Sequence, residues 1–224
     1  MRPLLFSATK VASILSVSLK IFLGDFFMQK YLKKVFFSDV LEGVSKTQKI
    51  AYVAIMTALC VVCNMFFEFK LADTQFSLTI FFSAFTGILI GPFFGFVACF
   101  LGDLVGFLYN SGGFMYMPWI GLSMGMIALI SGVITNGISL KFKGAIYVKL
   151  AIISLSTFLL CTIAINTTAF WIIYNTRKVP YTAYLVTRLF VQGQIWNSLV
   201  NYALLFVSFP VFMRIKEQIR KNRR

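Results

Sequence analysis

Residues 76–109 have the sequence FSLTIFFSAFTGILIGPFFGFVACFLGDLVGFLY, with one acidic and no basic side chain. Two apolar runs, at about 76–91 and 93–109, meet at Gly91-Pro92, and such a dipeptide is a strong turn signal. A membrane-spanning helix needs about 20 predominantly apolar residues. The stretch therefore predicts two membrane helices joined by a tight turn.

Apolar runs continue on both sides of this stretch. Four further segments lie at about 50–67, 116–138, 150–173 and 184–213. Hydrophobic residues make up 59% of the 224-residue chain and charged residues 12%, whereas a soluble domain carries about 25% charged residues. A soluble globular protein is thereby excluded. We predict an all-α, polytopic membrane protein with six transmembrane helices in a domain over residues 46–213.

The basic residues lie almost wholly outside the apolar segments. The chain has 21 Lys and Arg against 7 Asp and Glu. With both termini inside, seventeen basic residues face the cytoplasm and three, Lys70, Arg177 and Lys178, face outward. Cytoplasmic loops of membrane proteins carry the excess of Lys and Arg, so we predict that both termini are cytoplasmic. The basic tail, residues 214–224, is expected to anchor at anionic membrane lipids rather than to bind nucleic acid.

The first 45 residues precede the first apolar segment and show a helical repeat of polar side chains. These recur every three or four positions, at Ser7, Lys10, Ser13, Ser16 and Lys20. The spacing leaves one broad apolar face, which is typical of an amphipathic helix lying at the membrane interface on the cytoplasmic side. Two alternatives stay open. One is a seventh membrane span, which is disfavoured because two lysines would enter the bilayer core. The other is a natural start at Met28, which would make residues 1–27 an extension.

Small residues recur at four-residue spacing in three of the segments. The pairs are Ala54 and Ala58, Gly102 and Gly106, and Gly121 and Gly125. Such spacing allows helix backbones to approach closely in lipid. We expect the glycine pairs to pack within the chain. The two alanines are equally consistent with internal packing and with a docking face for another protein.

Two charged side chains, Asp103 and Arg188, lie well inside the apolar segments. A charge at the centre of a membrane helix costs about 2.5–3.5 kcal/mol on insertion scales, so each requires a partner, a water-filled cavity or a ligand. One hypothesis is that the two pair with each other. The other is that Asp103 is a structural intramembrane charge held by hydrogen bonds, and that Arg188 contacts a ligand because it lies nearer the outer surface.

Aromatic and amide side chains cluster in the predicted outer halves of the last three segments. They are Tyr116, Trp119, Asn166, Trp171, Gln192, Trp196 and Asn197. The helical period places Arg188, Gln192 and Trp196 on one face. Such walls suit a planar heteroaromatic ligand, with rings for stacking and amides for hydrogen bonds. The alternative is an aromatic belt, since Trp and Tyr are enriched at membrane interfaces in any case.

The sequence lacks residues that metal binding, general-base catalysis and nucleotide binding commonly require. It has no His, which is the commonest metal ligand and general base, and no Gly-rich P-loop for nucleotide phosphates. We expect no metal site, no cofactor and no enzymatic activity, because a membrane enzyme acting on lipids would usually need clustered carboxylates or metal-bound His. Uphill transport would draw on an ion gradient or on another subunit.

Several short motifs occur in an order that resembles a known family. They are FTGILIGP (85–92), GDLVG (102–106), Gly112-Gly113 and an aromatic-Pro opening of the fourth segment. In this order they resemble the substrate-binding subunits, or S components, of energy-coupling-factor (ECF) transporters. Three further features resemble the folate branch of that family: KKVFFSD (33–39), Asn166-Thr167 and Arg188-Leu189. The resemblance covers about residues 30–213.

The resemblance implies a six-helix subunit of the bacterial cell membrane that captures a vitamin at the outer face. It implies docking on a transmembrane coupling subunit driven by two ATPase subunits, and toppling of the whole subunit to release the vitamin inside. Ala54 and Ala58 match the family's docking motif. The expected ligand is folate-like. Another vitamin or small heterocycle, and a self-sufficient membrane carrier, remain as alternatives.

Overall fold

The computed structural model describes residues 44–71, 74–109, 115–138, 144–174 and 178–221. Residues 1–43 of the predicted amphipathic segment lie outside this part of the chain. The elements of the described residues are α1 (Lys46–Phe66), β1 (Glu68–Leu71), β2 (Thr74–Ser77), α2 (Thr79–Ile90), α3 (Pro92–Tyr109), α4 (Pro118–Gly137), α5 (Ala145–Tyr174), α6 (Tyr181–Val186) and α7 (Gln194–Lys221). A π-helical segment, Phe158–Thr167, lies within α5, and a π-helical turn, Thr187–Val191, continues α6.

The structure confirms a polytopic helical membrane protein. Among the described residues, five helices are long and apolar enough to cross a membrane: α1, α3, α4, α5 and α7. The remaining predicted span, at about 76–91, corresponds to α2, which is apolar but has only 12 residues. At a rise of about 1.5 Å per residue it extends about 18 Å, which is less than the hydrocarbon thickness of about 30 Å.

Local sequence explains where the helices begin and end. Ser45 and Gln48 form a reciprocal capping box at the start of α1, which satisfies backbone donors that a helix start leaves free. Gly91 separates α2 from α3 with a φ of 92°, a conformation that favours glycine. Pro118 occupies the first turn of α4, where its missing N–H costs nothing.

The core is built around α4, which packs against α2, α3 and α5. A Cβ atom added at Gly87 would lie 1.9 Å from the carbonyl oxygen of Ala128, so α2 and α4 touch through backbone at this point. The buried apolar side chains of this core come from four helices and include Ile88, Ile127, Leu150, Ile153 and Leu205. This close packing holds the helix ends that frame the cavity described below.

The structure differs from the sequence prediction at two places. An antiparallel hairpin, β1 with β2, joins α1 to α2 and pairs Glu68 with Ser77, so the described chain is not purely α-helical. The predicted last span, 184–213, is divided at Gln192 and Gly193, where Gly193 has a φ of 70°. Beyond this break α7 runs without interruption through Pro210 and into the basic tail as far as Lys221.

Candidate ligand-binding cavity

One end of the helix bundle encloses a cavity of about 470 Å³. The carboxyl ends of α1 and α3, the amino end of α4, the π-helical parts of α5 and α6, and the start of α7 surround it. Its polar and charged lining residues are Asn64, Ser77, Thr79, Asp103, Tyr116, Ser123, Thr162, Asn166, Arg188, Gln194 and Asn197. The distribution of Lys and Arg predicts that this end of the bundle faces outward.

Arg188 lies in the π-helical turn after α6 and is only 9% exposed. Its guanidinium carbon lies 4.1 Å from the centre of the Phe170 ring, a distance typical of a cation–π contact. Tyr184 lies beside it one turn earlier. The Nε–H of Arg188 has no hydrogen-bond partner. The cavity wall therefore contains a buried cation without a carboxylate partner among the described residues.

Asp103 lies on α3 and is 6% exposed. Its Oδ1 accepts a hydrogen bond from Asn64 Nδ2 at 3.2 Å, and its Oδ2 accepts one from the Tyr116 hydroxyl at 3.1 Å. Within the described residues no ion pair joins it to Arg188. The pairing hypothesis is therefore not supported, and the observed hydrogen bonds agree with a carboxylate held in place by neutral donors.

The π-helical segment of α5 supplies further polar groups to the cavity. Thr167 donates its hydroxyl proton to the carbonyl of Thr162, five residues earlier, at 2.8 Å, which matches the wider π-helical turn. Asn166 Nδ2 donates to Ser123 Oγ at 3.1 Å, while its Oδ1 has no partner. Such segments frequently occur at functional sites, and this one places Thr162 and Asn166 in the cavity wall.

A side-chain network ties the base of the hairpin to α7. Asn197 Oδ1 accepts a hydrogen bond from the Ser77 backbone N–H at 3.0 Å. Asn201 Nδ2 donates to the Ser77 carbonyl at 2.7 Å, and its Oδ1 accepts from the Phe81 N–H at 2.9 Å. Ser77 and Asn197 also line the cavity. The hairpin and the cavity wall are thus held together by two buried amides.

Comparison with protein families gives a match over residues 43–214, to the family described as ECF-type riboflavin transporter, S component. The chain belongs to this family. The predictions of an S component and of a vitamin-binding membrane subunit are thereby confirmed. Comparison with curated protein sequences finds no match.

The fold of this S component is similar to a solved structure described as FolT bound with folic acid. The two share 20% sequence identity with a TM-score of 0.56, and the alignment covers 71% of this chain and 91% of that chain. At this identity the similarity shows the fold alone. It agrees with the helical membrane architecture predicted from the sequence.

The S component brings together only part of the predicted binding set. Tyr116, Asn166, Arg188 and Asn197 line the cavity, together with Asp103. The other four residues, Trp119, Trp171, Gln192 and Trp196, are not among its lining residues. Trp171 donates its indole N–H to the Val179 carbonyl at 2.9 Å, and Trp119 packs edge-on against Phe170, which does line the cavity.

The prediction that Arg188, Gln192 and Trp196 share one helix face is wrong. A π-helical turn followed by the break at Gly193 interrupts the regular helical repeat between them. Arg188 consequently points to the cavity, whereas Gln192 is exposed and Trp196 is 58% exposed. The helical period assumed for this segment does not apply across a break.

Sequence reasoning missed several cavity residues, namely Asn64, Phe107, Ser123, Thr162 and Phe170. Asn64 and Ser123 are polar residues within apolar segments, which would have been a usable signal because such residues usually face the bundle interior. Phe170 carried no such signal, since the chain has 26 Phe residues. Its role beside Arg188 follows only from the fold.

The predicted docking residues lie on the free side of α1. Ala54 and Ala58 are exposed, as are Ile50, Ile55 and Val62. The opposite side of α1 packs inward through buried Cys60 and Cys63. The S component therefore presents a stripe of small and apolar side chains that its own described residues do not cover.

Proposed function

We propose that this S component captures a folate-like, carboxylate-bearing vitamin at the outer face of the bacterial cell membrane. Partner ATPases then drive its uptake. The observation that carries the proposal is Arg188, a buried cation in the cavity wall without a carboxylate partner among the described residues. An uncompensated buried charge is costly. A ligand carboxylate would compensate it through charge-assisted, bidentate hydrogen bonds.

The remaining wall supports a planar ring as the other part of the ligand. Phe107, Tyr116 and Phe170 line the cavity and offer aromatic surface. Asn166 lines the cavity as well, and its amide group would hydrogen-bond the polar edge of the ring. The volume of about 470 Å³ lies within the range of pockets that enclose small organic ligands, about 300–1,000 Å³. The ligand of the similar solved structure, folic acid, combines a ring with carboxylates.

Riboflavin is the second candidate, because the family description names it. It has a planar ring and an uncharged sugar-alcohol chain, so it would leave Arg188 without a counter-charge. Another vitamin with a carboxylate or phosphate would compensate Arg188 as folate does. The charge at this position therefore favours folate-like ligands over riboflavin.

We propose that α1 docks on a transmembrane coupling subunit, which is in turn driven by two ATPase subunits. Family membership supports assembly with ECF components. The exposed side chains of Ala54 and Ala58 support α1 as the contact, since small residues allow close helix approach in lipid. The distribution of Lys and Arg supports cytoplasmic termini, with the basic tail at anionic lipids.

A binding series on Arg188 tests the ligand. Arg188→Ala should weaken folic acid binding by about 2–5 kcal/mol, the range for breaking a buried charge pair. Arg188→Lys should restore binding only in part, because an ammonium lacks the planar fork. Titration calorimetry of the purified chain in detergent measures both. Arg214→Ala, which removes an exposed arginine on α7, is the matched control and should bind as wild type.

Normal folic acid affinity in a well-folded Arg188→Ala protein would contradict the proposal. Riboflavin affinity that is high in the wild type and insensitive to Arg188→Ala would support the second candidate instead. Detergent melting of each variant separates loss of binding from loss of fold.

A further inference from the structure

Two opposite charges lie in the wall of the same cavity without neutralising each other. Asp103 contacts Asn64 and Tyr116, whereas Arg188 contacts Phe170 and Tyr184. Both charged side chains are at least nine-tenths buried. Because a buried charge without a counter-charge is costly, the arrangement favours a ligand that carries an anionic group for one side chain and hydrogen-bond donors for the other.

The carboxylate of Asp103 has capacity left for such donors. An ionised carboxylate offers about four lone-pair sites, and the two partners from the protein use one site on each oxygen. Both partners are neutral donors, so they orient the carboxylate without discharging it. A Cβ atom at Gly121 would lie 2.8 Å from Oδ2. Glycine at this position therefore gives the carboxylate room beside α4.

Building on the proposed function, we infer that Asp103 determines ring specificity: it binds the 2-amino-4-oxo edge of a pteridine while Arg188 binds the carboxylate. This edge presents an amino N–H and a ring N–H side by side, a pair that matches the two oxygens of a carboxylate. A flavin ring instead presents one N–H between two carbonyl oxygens. Those oxygens would face Asp103, and juxtaposed negative groups are disfavoured.

The test compares two ligands that differ only at this edge. One is folic acid, and the other is its analogue with an oxo group in place of the 2-amino group, so both keep the carboxylates that Arg188 would bind. Titration calorimetry of the full chain in detergent should show that folic acid binds about 10–100-fold more tightly. That ratio is the discrimination expected from one hydrogen bond to a charged group.

Asp103→Asn should reduce this preference to within about threefold or reverse it. The amide group is close in size to the carboxyl group but presents one donor and one acceptor, so it can donate to the analogue's oxo group. Arg188→Ala is the matched control. It should weaken both ligands by the same factor and leave their ratio unchanged.

A ratio near one in the wild-type protein would overturn this inference, and this measurement does not depend on the folding of any variant. A strong preference that Asp103→Asn leaves unchanged would also overturn it. In both cases tight folic acid binding would leave the proposed function standing. Failure of the wild-type protein to bind either ligand would overturn the proposed function and this inference together.

Discussion

We predict that the Asn201 side chain on α7 holds the hairpin in position at its end of the cavity. It is fully buried and makes three hydrogen bonds: its Oδ1 accepts from the Phe81 N–H, and its two amide N–H groups donate to the Ser77 carbonyl and to Asn197. Two of these bonds reach backbone groups where β2 meets α2. The helix start itself has no side-chain cap at Leu78. Asn201 thus supplies from another helix the acceptor that a local cap would provide.

Replacement by leucine, Asn201→Leu, would remove all three bonds. Side-chain hydrogen bonds in membrane proteins contribute about 0.6 kcal/mol each on average, so three give about 1.8 kcal/mol. The backbone groups of Ser77 and Phe81 would also lose these partners, and unsatisfied buried groups add to the cost. We expect a lower melting temperature in detergent. We also expect weaker ligand binding, because Ser77 and Asn197 line the cavity.

Ser198 provides the matched control for this experiment. It is 2% exposed and adjoins Asn197, but its hydroxyl has no hydrogen-bond partner. Ser198→Ala should therefore leave melting and ligand affinity unchanged or slightly raise stability, since it removes a buried unsatisfied group. If Asn201→Leu melts and binds like Ser198→Ala, the network does not position the hairpin and the reasoning is refuted.

The remaining predictions concern assembly and energy. Ala54→Trp and Ala58→Trp should block assembly with the coupling subunit while sparing ligand binding, because close helix approach needs small side chains. Co-purification measures assembly, and ligand titration measures binding. Wild-type transport in both variants would refute α1 as the docking face. Uptake into liposomes should stop when the partner ATPases are inactivated, because this chain has no phosphate-binding loop. Uphill uptake by this chain alone would instead establish a self-sufficient carrier.

The sequence predicts the membrane helices because their signal is strong and local. The run at 76–109 contains two apolar segments and a Gly-Pro turn, and the structure ends α2 and begins α3 at that turn. The hairpin escaped prediction because its strands have only four residues each. Such short strands leave too few positions to display an alternating pattern.

Site residues could be predicted where residue type was the signal, and not where the prediction depended on helix geometry. Arg188 and Asp103 stand out because charges are rare inside membrane spans, and both line the cavity. The position of Trp196 depended on an unbroken helical period, which the turn at Thr187–Val191 and the break at Gly193 remove. A π-helical turn adds a residue to the helical repeat, and the sequence showed no clear sign of it.

The most direct test of the central claim is the identity of the small molecule that the protein retains from the cell. The chain would be purified in detergent from cells supplied with equal amounts of folic acid and riboflavin. Its ligand would then be extracted and measured by mass spectrometry. We expect a pterin with a carboxylate-bearing tail, close to one molecule per chain and lost in Arg188→Ala. Riboflavin in that proportion, with folate absent, would contradict the claim.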